Sequence, residues 1–141
     1  MGQTSQSTTI NAPADKVWAT LRSFHHFSWA PNVITKCEAV GDVAADQPGA
    51  KRLLNDAFHE TLIKLNDGDR ILRYSIDDGP SPISKDDVSH YIGIIHVHSV
   101  TDTDTTFVEW TSSWEKNDEA AQEFCHGIYV ALLGELKNHF A

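Results

Sequence analysis

Apolar and polar residues alternate through most of the middle of the chain, while both flanks carry stretches where apolar residues recur every three or four positions. Residues 4–10 (TSQSTTI) are rich in Thr and Ser and predict a first strand. Asn11 follows as an N-cap candidate, and Pro13 suits a first helical turn because its missing N–H would go unpaired there. Val17, Trp18, Leu21 and Phe24 then fall at helical spacing, predicting a short amphipathic helix over 13–22. The segment HHFSWAPN, 25–32, predicts a second short helix broken by Pro31.

Strand-like runs come next, at 33–40, 51–54, 58–65, 70–76, 90–100 and 105–114. Turn-forming stretches separate them: 41–49 (GDVAADQPG), 66–69 (NDGD), 78–82 (DGPSP) and 101–104 (TDTD). From Glu119 the spacing changes again. Phe124, Cys125, Ile128, Leu132, Leu133, Leu136 and Phe140 mark one long helix with a broad apolar face, with Asn117 or Asp118 as its cap. The order of elements implies an α+β domain spanning 1–141, in which successive antiparallel hairpins bury one face under the only long helix. One helix has little bulk to cover a strongly bent sheet, so a hollow is expected between them, suited to an apolar small molecule.

Composition narrows the partners. With 20 Asp+Glu against 11 Lys+Arg the net charge is −9, which repels nucleic-acid phosphates and anionic membranes. No stretch approaches the ~18 apolar residues of a membrane span, so no membrane insertion is expected. Residues 1–13 have neither a basic n-region nor an apolar h-region, and a cytoplasmic location is expected. Cys37 and Cys125 stand too far apart in sequence to form a metal or redox motif and read as free thiols.

The segments INAPADKVWATL, Trp29-Ala30-Pro31, Pro48-Gly49-Ala50-Lys51-Arg52, Glu60-Thr61-Leu62, the 66–69 turn, Val108-Glu109-Trp110 and Trp114-Glu115 occur in this order ahead of the closing helix. With that helix they resemble the Bet v 1-like, START-related (SRPBCC) superfamily over nearly the whole chain, and especially its polyketide cyclase/dehydrase-like branch. The resemblance implies a helix-grip fold: a bent antiparallel sheet of six to seven strands around a long C-terminal helix, with two short helices after the first strand. It also implies a range of functions, from lipid carriage to polyketide cyclisation to hormone reception. The hormone receptors' gate and pocket lysine have no counterpart, since LLNDAFHE stands in the gate region and Pro31 near the lysine site.

Strand alternation supplies a candidate lining. Val108, Trp110, Ser112 and Trp114 share one face, Tyr91, Gly93, Ile95 and Val97 another, and Leu72, Tyr74 and Ile76 a third. For 58–65 the alternation alone leaves Phe58, Glu60 and Leu62 open against His59, Thr61, Ile63 and Leu65; the resemblance favours the Glu60 set. The candidate binding residues are Trp29, Phe58, Glu60, Leu62, Leu72, Tyr74, Tyr91, Ile95, Trp110, Ser112, Phe124, Ile128 and Leu132. If the protein is an enzyme, Glu60 and Tyr91 are the proton-transfer pair, because a carboxyl in an apolar pocket has its charged form disfavoured. The structural alternative is that Glu60 pairs with Arg52 or Arg73. An inward arginine of the kind cyclases use is not evident, because Arg73 alternates opposite to Leu72 and Tyr74. His96 and His98 share a strand face as some zinc ligands do, but a third ligand is not apparent and that face turns outward, so no metal is expected. Neither a GxSxG elbow nor a phosphate-binding glycine loop is present, and no cofactor is expected.

Overall fold

The structure, a computed structural model, describes residues 2–116 and 119–141. Seven strands form one antiparallel sheet: β1 Gly2–Ile10, β2 Cys37–Val40, β3 Lys51–Leu54, β4 Phe58–Asn66, β5 Ile71–Asp78, β6 Ser89–Val100 and β7 Thr105–Glu115. Their spatial order is β1-β7-β6-β5-β4-β3-β2, so the chain runs as a meander whose first strand returns to pair with the last. The sheet does not close; β1 and β2 are its edges. α1, Ala14–Leu21, follows β1, and α2, Glu119–His139, packs along β1 across the concave face. This is the expected helix grip. The predicted cap of α2, Asn117 or Asp118, lies outside the described residues.

Period-two burial shows why these residues make strands. β7 alternates without interruption, with Thr106, Val108, Trp110, Ser112 and Trp114 buried and their neighbours half-exposed. β6 does the same with Tyr91, Gly93, Ile95 and Val97. In β4 the buried set is Glu60 and Leu62, the alternative that alternation alone had left open. A bulge after Leu62 then shifts the register, leaving Ile63 exposed and bringing Leu65 opposite Leu72.

Three local expectations are corrected. Asn11 does not cap α1: Pro13 takes the N-cap position, and its carbonyl accepts from Lys16 N and Val17 N. The second short helix does not form. Residues 23–34 run as successive turns closed by His26 N→Ser23 O, Ala30 N→Phe27 O and Ile34 N→Ala30 O. Pro31 cannot continue a helix ladder, and Phe24, Phe27 and Trp29 are buried as anchors of the turns. The strand expected over 33–40 is reduced to Cys37–Val40. Asn55 explains the loss, because its Oδ1 accepts from Thr35 N and Lys36 N and its Nδ2 donates to Val33 O. Those backbone groups are satisfied by a side chain instead of a ladder.

Polar ties fix the outer elements. Trp18 Nε1 and the Arg22 guanidinium both donate to Asp67 in the β4–β5 turn, holding α1 there. Buried Glu135 of α2 accepts from Asn32 N at 2.6 Å and Asn32 Nδ2 at 3.2 Å, holding the turn segment against the helix. Among the described residues, no helix is long and apolar enough to cross a membrane.

Candidate functional site

Between the concave face and α2 lies a cleft lined by Phe27 and Ile34 from the turn segment, Arg52 and Leu54 from β3, and Phe58 and Glu60 from β4. Tyr74 and Ile76 of β5, Ile83 of the β5–β6 loop, Tyr91, Trp110, and Cys125, Ile128, Tyr129 and Leu132 of α2 complete the wall. Phe58, Ile76 and Ile128 are only half-buried and form its rim, where Phe58 stacks on Phe124 with ring centroids 6.4 Å apart.

The hollow is much smaller than a single covering helix suggests. The free space inside is about 30 Å³, room for about one or two waters. Aromatic bulk makes the difference: Tyr74, Tyr91, Trp110 and Trp114 are all at most 1% exposed, and Tyr129 of α2 tilts against Trp110 at 5.0 Å. The expected hollow is thus present but nearly filled, because the side chains supply the volume that the helix lacks.

Two polar groupings interrupt the apolar wall. In the first, Arg52 and Glu60 are each 5% exposed and form an ion pair, with Nε and Nη2 of Arg52 at 2.8 and 2.6 Å from one Glu60 oxygen. Their strands place them opposite each other in the β3–β4 ladder. Arg52 Nη1 also donates to Phe24 O, and its guanidinium lies 3.8 Å from the centre of the Phe24 ring. Burial raises the Glu60 carboxyl above the ordinary carboxylate range, with Arg52 pulling it back. In the second grouping, Tyr129 Oη lies 2.8 Å from Tyr74 Oη and 2.5 Å from Tyr91 Oη. Trp110 Nε1 donates to Tyr74 Oη at 3.0 Å. Burial raises the pKa of all three phenols, so each remains a neutral hydroxyl near pH 7. The Cys125 thiol beside Tyr91 is pushed up to about 11 for the same reason and is not a reactive thiolate.

Of the sequence candidates, Phe58, Glu60, Tyr74, Tyr91, Trp110, Ile128 and Leu132 meet in this wall. Leu62, Leu72 and Ile95 are buried on the same concave face but do not line the cleft, and neither does Trp29, which stacks on Phe27. Ser112 bonds instead to Thr4 at 2.6 Å. Arg52 and Tyr129 were not among the candidates. Arg52 supplies the inward arginine that was not evident from the sequence, as the partner of Glu60 that the structural alternative named. Tyr129 was legible, falling one helical turn from both Cys125 and Leu132 on the apolar stripe of α2.

Comparison with known proteins decides the family. All of residues 1–141 match the family described as polyketide cyclase / dehydrase and lipid transport. The chain belongs to that family. Among solved structures of the same fold, a protein from Nitrosospira multiformis is 42% identical, covering 99% of this chain and 96% of its own, with a TM-score of 0.96. XoxI from Bacillus cereus is 28% identical over 99% and 96% of the two chains, with a TM-score of 0.81. A ginseng (Panax ginseng) major latex-like protein, 15% identical over 99% and 97% at TM-score 0.77, shares the fold. No curated protein matches the chain.

Proposed function

We propose that the protein binds a small apolar molecule in the cleft between sheet and α2, admitted past Phe58, Ile76 and Ile128. The observation that carries this reading is an apolar wall, open at one side, whose polar groups are confined to the Arg52–Glu60 pair and the tyrosine hydroxyls. Such a wall with a few orienting donors is the usual chemistry of a small-molecule site. The family and the ginseng protein's fold support it at the level of fold. At rest the cleft is nearly filled: about 30 Å³ is free, well below the ~300 Å³ at which ligand sites begin, so a ligand needs room opened for it. It enters by displacing the rim side chains.

Proton-transfer catalysis by Glu60 and Tyr91 is the second reading, and the raised pKa of Glu60 favours it. It has less support, because Glu60 is held by Arg52 and the Tyr91 hydroxyl by Tyr129.

The test uses the uncharged fluorescent probe N-phenyl-1-naphthylamine. Saturable binding with one probe per chain, accompanied by quenching of tryptophan emission, is expected. Ile128→Trp, which fills the rim, should abolish it. If the parent binds no probe, or Ile128→Trp binds equally well, the proposal is wrong. Probe binding retained in Glu60→Gln and Tyr91→Phe separates binding from any catalytic role of those groups.

A further inference from the structure

The sheet face turned away from the cleft carries a second cluster. His96 and His98 lie two residues apart on β6, so both imidazoles project from the same, outer side of the strand. The β6–β7 register sets Glu109 directly opposite His96. All three side chains are half-buried, and one ligand atom from each lies within 4.8 Å of the other two. The imidazole rings are 3.7 Å apart between centroids, and His98 Nε2 is 2.6 Å from Glu109 Oε1.

We propose that His96, His98 and Glu109 form a binding site for a divalent transition-metal ion of the zinc class. Two imidazole nitrogens and one carboxylate oxygen make a borderline-soft donor set that suits Zn²⁺, Co²⁺, Ni²⁺ or Cu²⁺ rather than Ca²⁺ or Mg²⁺. Three protein ligands on one side leave the fourth tetrahedral position to solvent. A His–Glu hydrogen bond alone would account for His98 and Glu109. It does not account for His96, whose ring sits against that of His98 beside the same carboxylate. The β6–β7 ladder is regular from Ile92 to Val100 and holds all three positions, so little backbone ordering is needed to bind the ion. The net charge of −9 favours a cation at the surface. Ile71 faces His96 from β5 and Phe107 faces His98 from β7, while Arg73 stands opposite Ile94 on the same outer face.

The site concerns the opposite face from the cleft, so its fate is independent of small-molecule binding. The test is calorimetric titration of untagged, EDTA-dialysed protein with Zn²⁺ alone, followed by Co²⁺ absorption. One ion per chain is expected, with a visible Co²⁺ band typical of tetrahedral coordination. His96→Gln, His98→Gln and Glu109→Gln should each weaken binding by more than about tenfold, which is at the lower end of what even an outer-shell partner contributes. In the parent, substoichiometric Zn²⁺ should shift the His96 and His98 imidazole resonances before those of the other histidines, a readout that does not depend on the variants folding. Absence of Zn²⁺ binding, unchanged affinity in the variants, or first shifts at other histidines would each overturn the site.

Discussion

At the scale of single residues, the Arg52–Glu60 pair sets the character of the cleft. Both side chains are almost wholly buried, and each supplies the other's main charge partner. Removing one leaves an uncompensated charge in an apolar wall, which costs about 3–5 kcal/mol. Arg52→Met should therefore lower the unfolding free energy by that amount in urea melts. The double variant Arg52→Met/Glu60→Leu should recover most of the loss, because a buried pair gains little over well-packed apolar residues. A double variant as unstable as the single one would show that the loss comes from packing against Phe24 rather than from charge. Arg52 entered the sequence reading only as a possible partner of Glu60, and its place in the cleft wall was not legible for a physical reason. β3 has four residues, too few for alternation to declare a face, and an arginine on an unknown face reads as surface. Glu60 was legible as a candidate because its longer strand carries Leu62 in phase with it.

At the scale of elements, long strands and the long helix could be read because their periodicity repeats enough times to outweigh local exceptions. The short pieces could not. Residues 33–36 have strand composition, but Asn55, distant in sequence, takes their hydrogen bonds. Residues 25–32 have a helical pattern that Pro31 and the buried aromatics override. Two glycine positions make the contrast testable. In β6, a Cβ on Gly93 would stand 2.2 Å from Cζ of Tyr74, its neighbour across the ladder. Gly93→Ala should displace that ring, disturb the hydroxyl cluster and destabilise the fold by about 1–3 kcal/mol, as overpacking does. In α2, Gly127 and Gly134 are exposed, and a Cβ on either would meet nothing within 4 Å. Gly127→Ala and Gly134→Ala should each stabilise by about 0.5–1 kcal/mol through helix propensity. Thermal melts should thus move in opposite directions for the same chemical change in the two elements, and a stabilised Gly93→Ala would show that the Tyr74 ring yields freely.

At the scale of the whole molecule, counting elements foretold where the cleft lies but not how nearly it is filled. The inward aromatics were visible in the sequence; their combined volume against that of the concavity was not, since it depends on sheet curvature. What fills the interior includes all 3 tyrosines of the chain, Tyr74, Tyr91 and Tyr129. Burial is the first cause raising the pKa of each. Unfolded phenols titrate near pH 10, while the folded ones keep their protons to higher pH. Below about pH 10 both states are protonated and the full stability is present. Above it the unfolded chain binds fewer protons, so stability falls with pH, approaching about 4 kcal/mol per unit when all three contribute. Phenolate absorbance near 295 nm should therefore stay flat until the far-UV circular dichroism collapses, and the two signals should then rise and fall together in one steep alkaline transition. A phenolate signal appearing while the fold is intact would mean that solvent reaches the hydroxyl cluster in the native state. Coincident transitions would mean that these hydroxyls meet any guest as neutral groups held together by one cooperative fold.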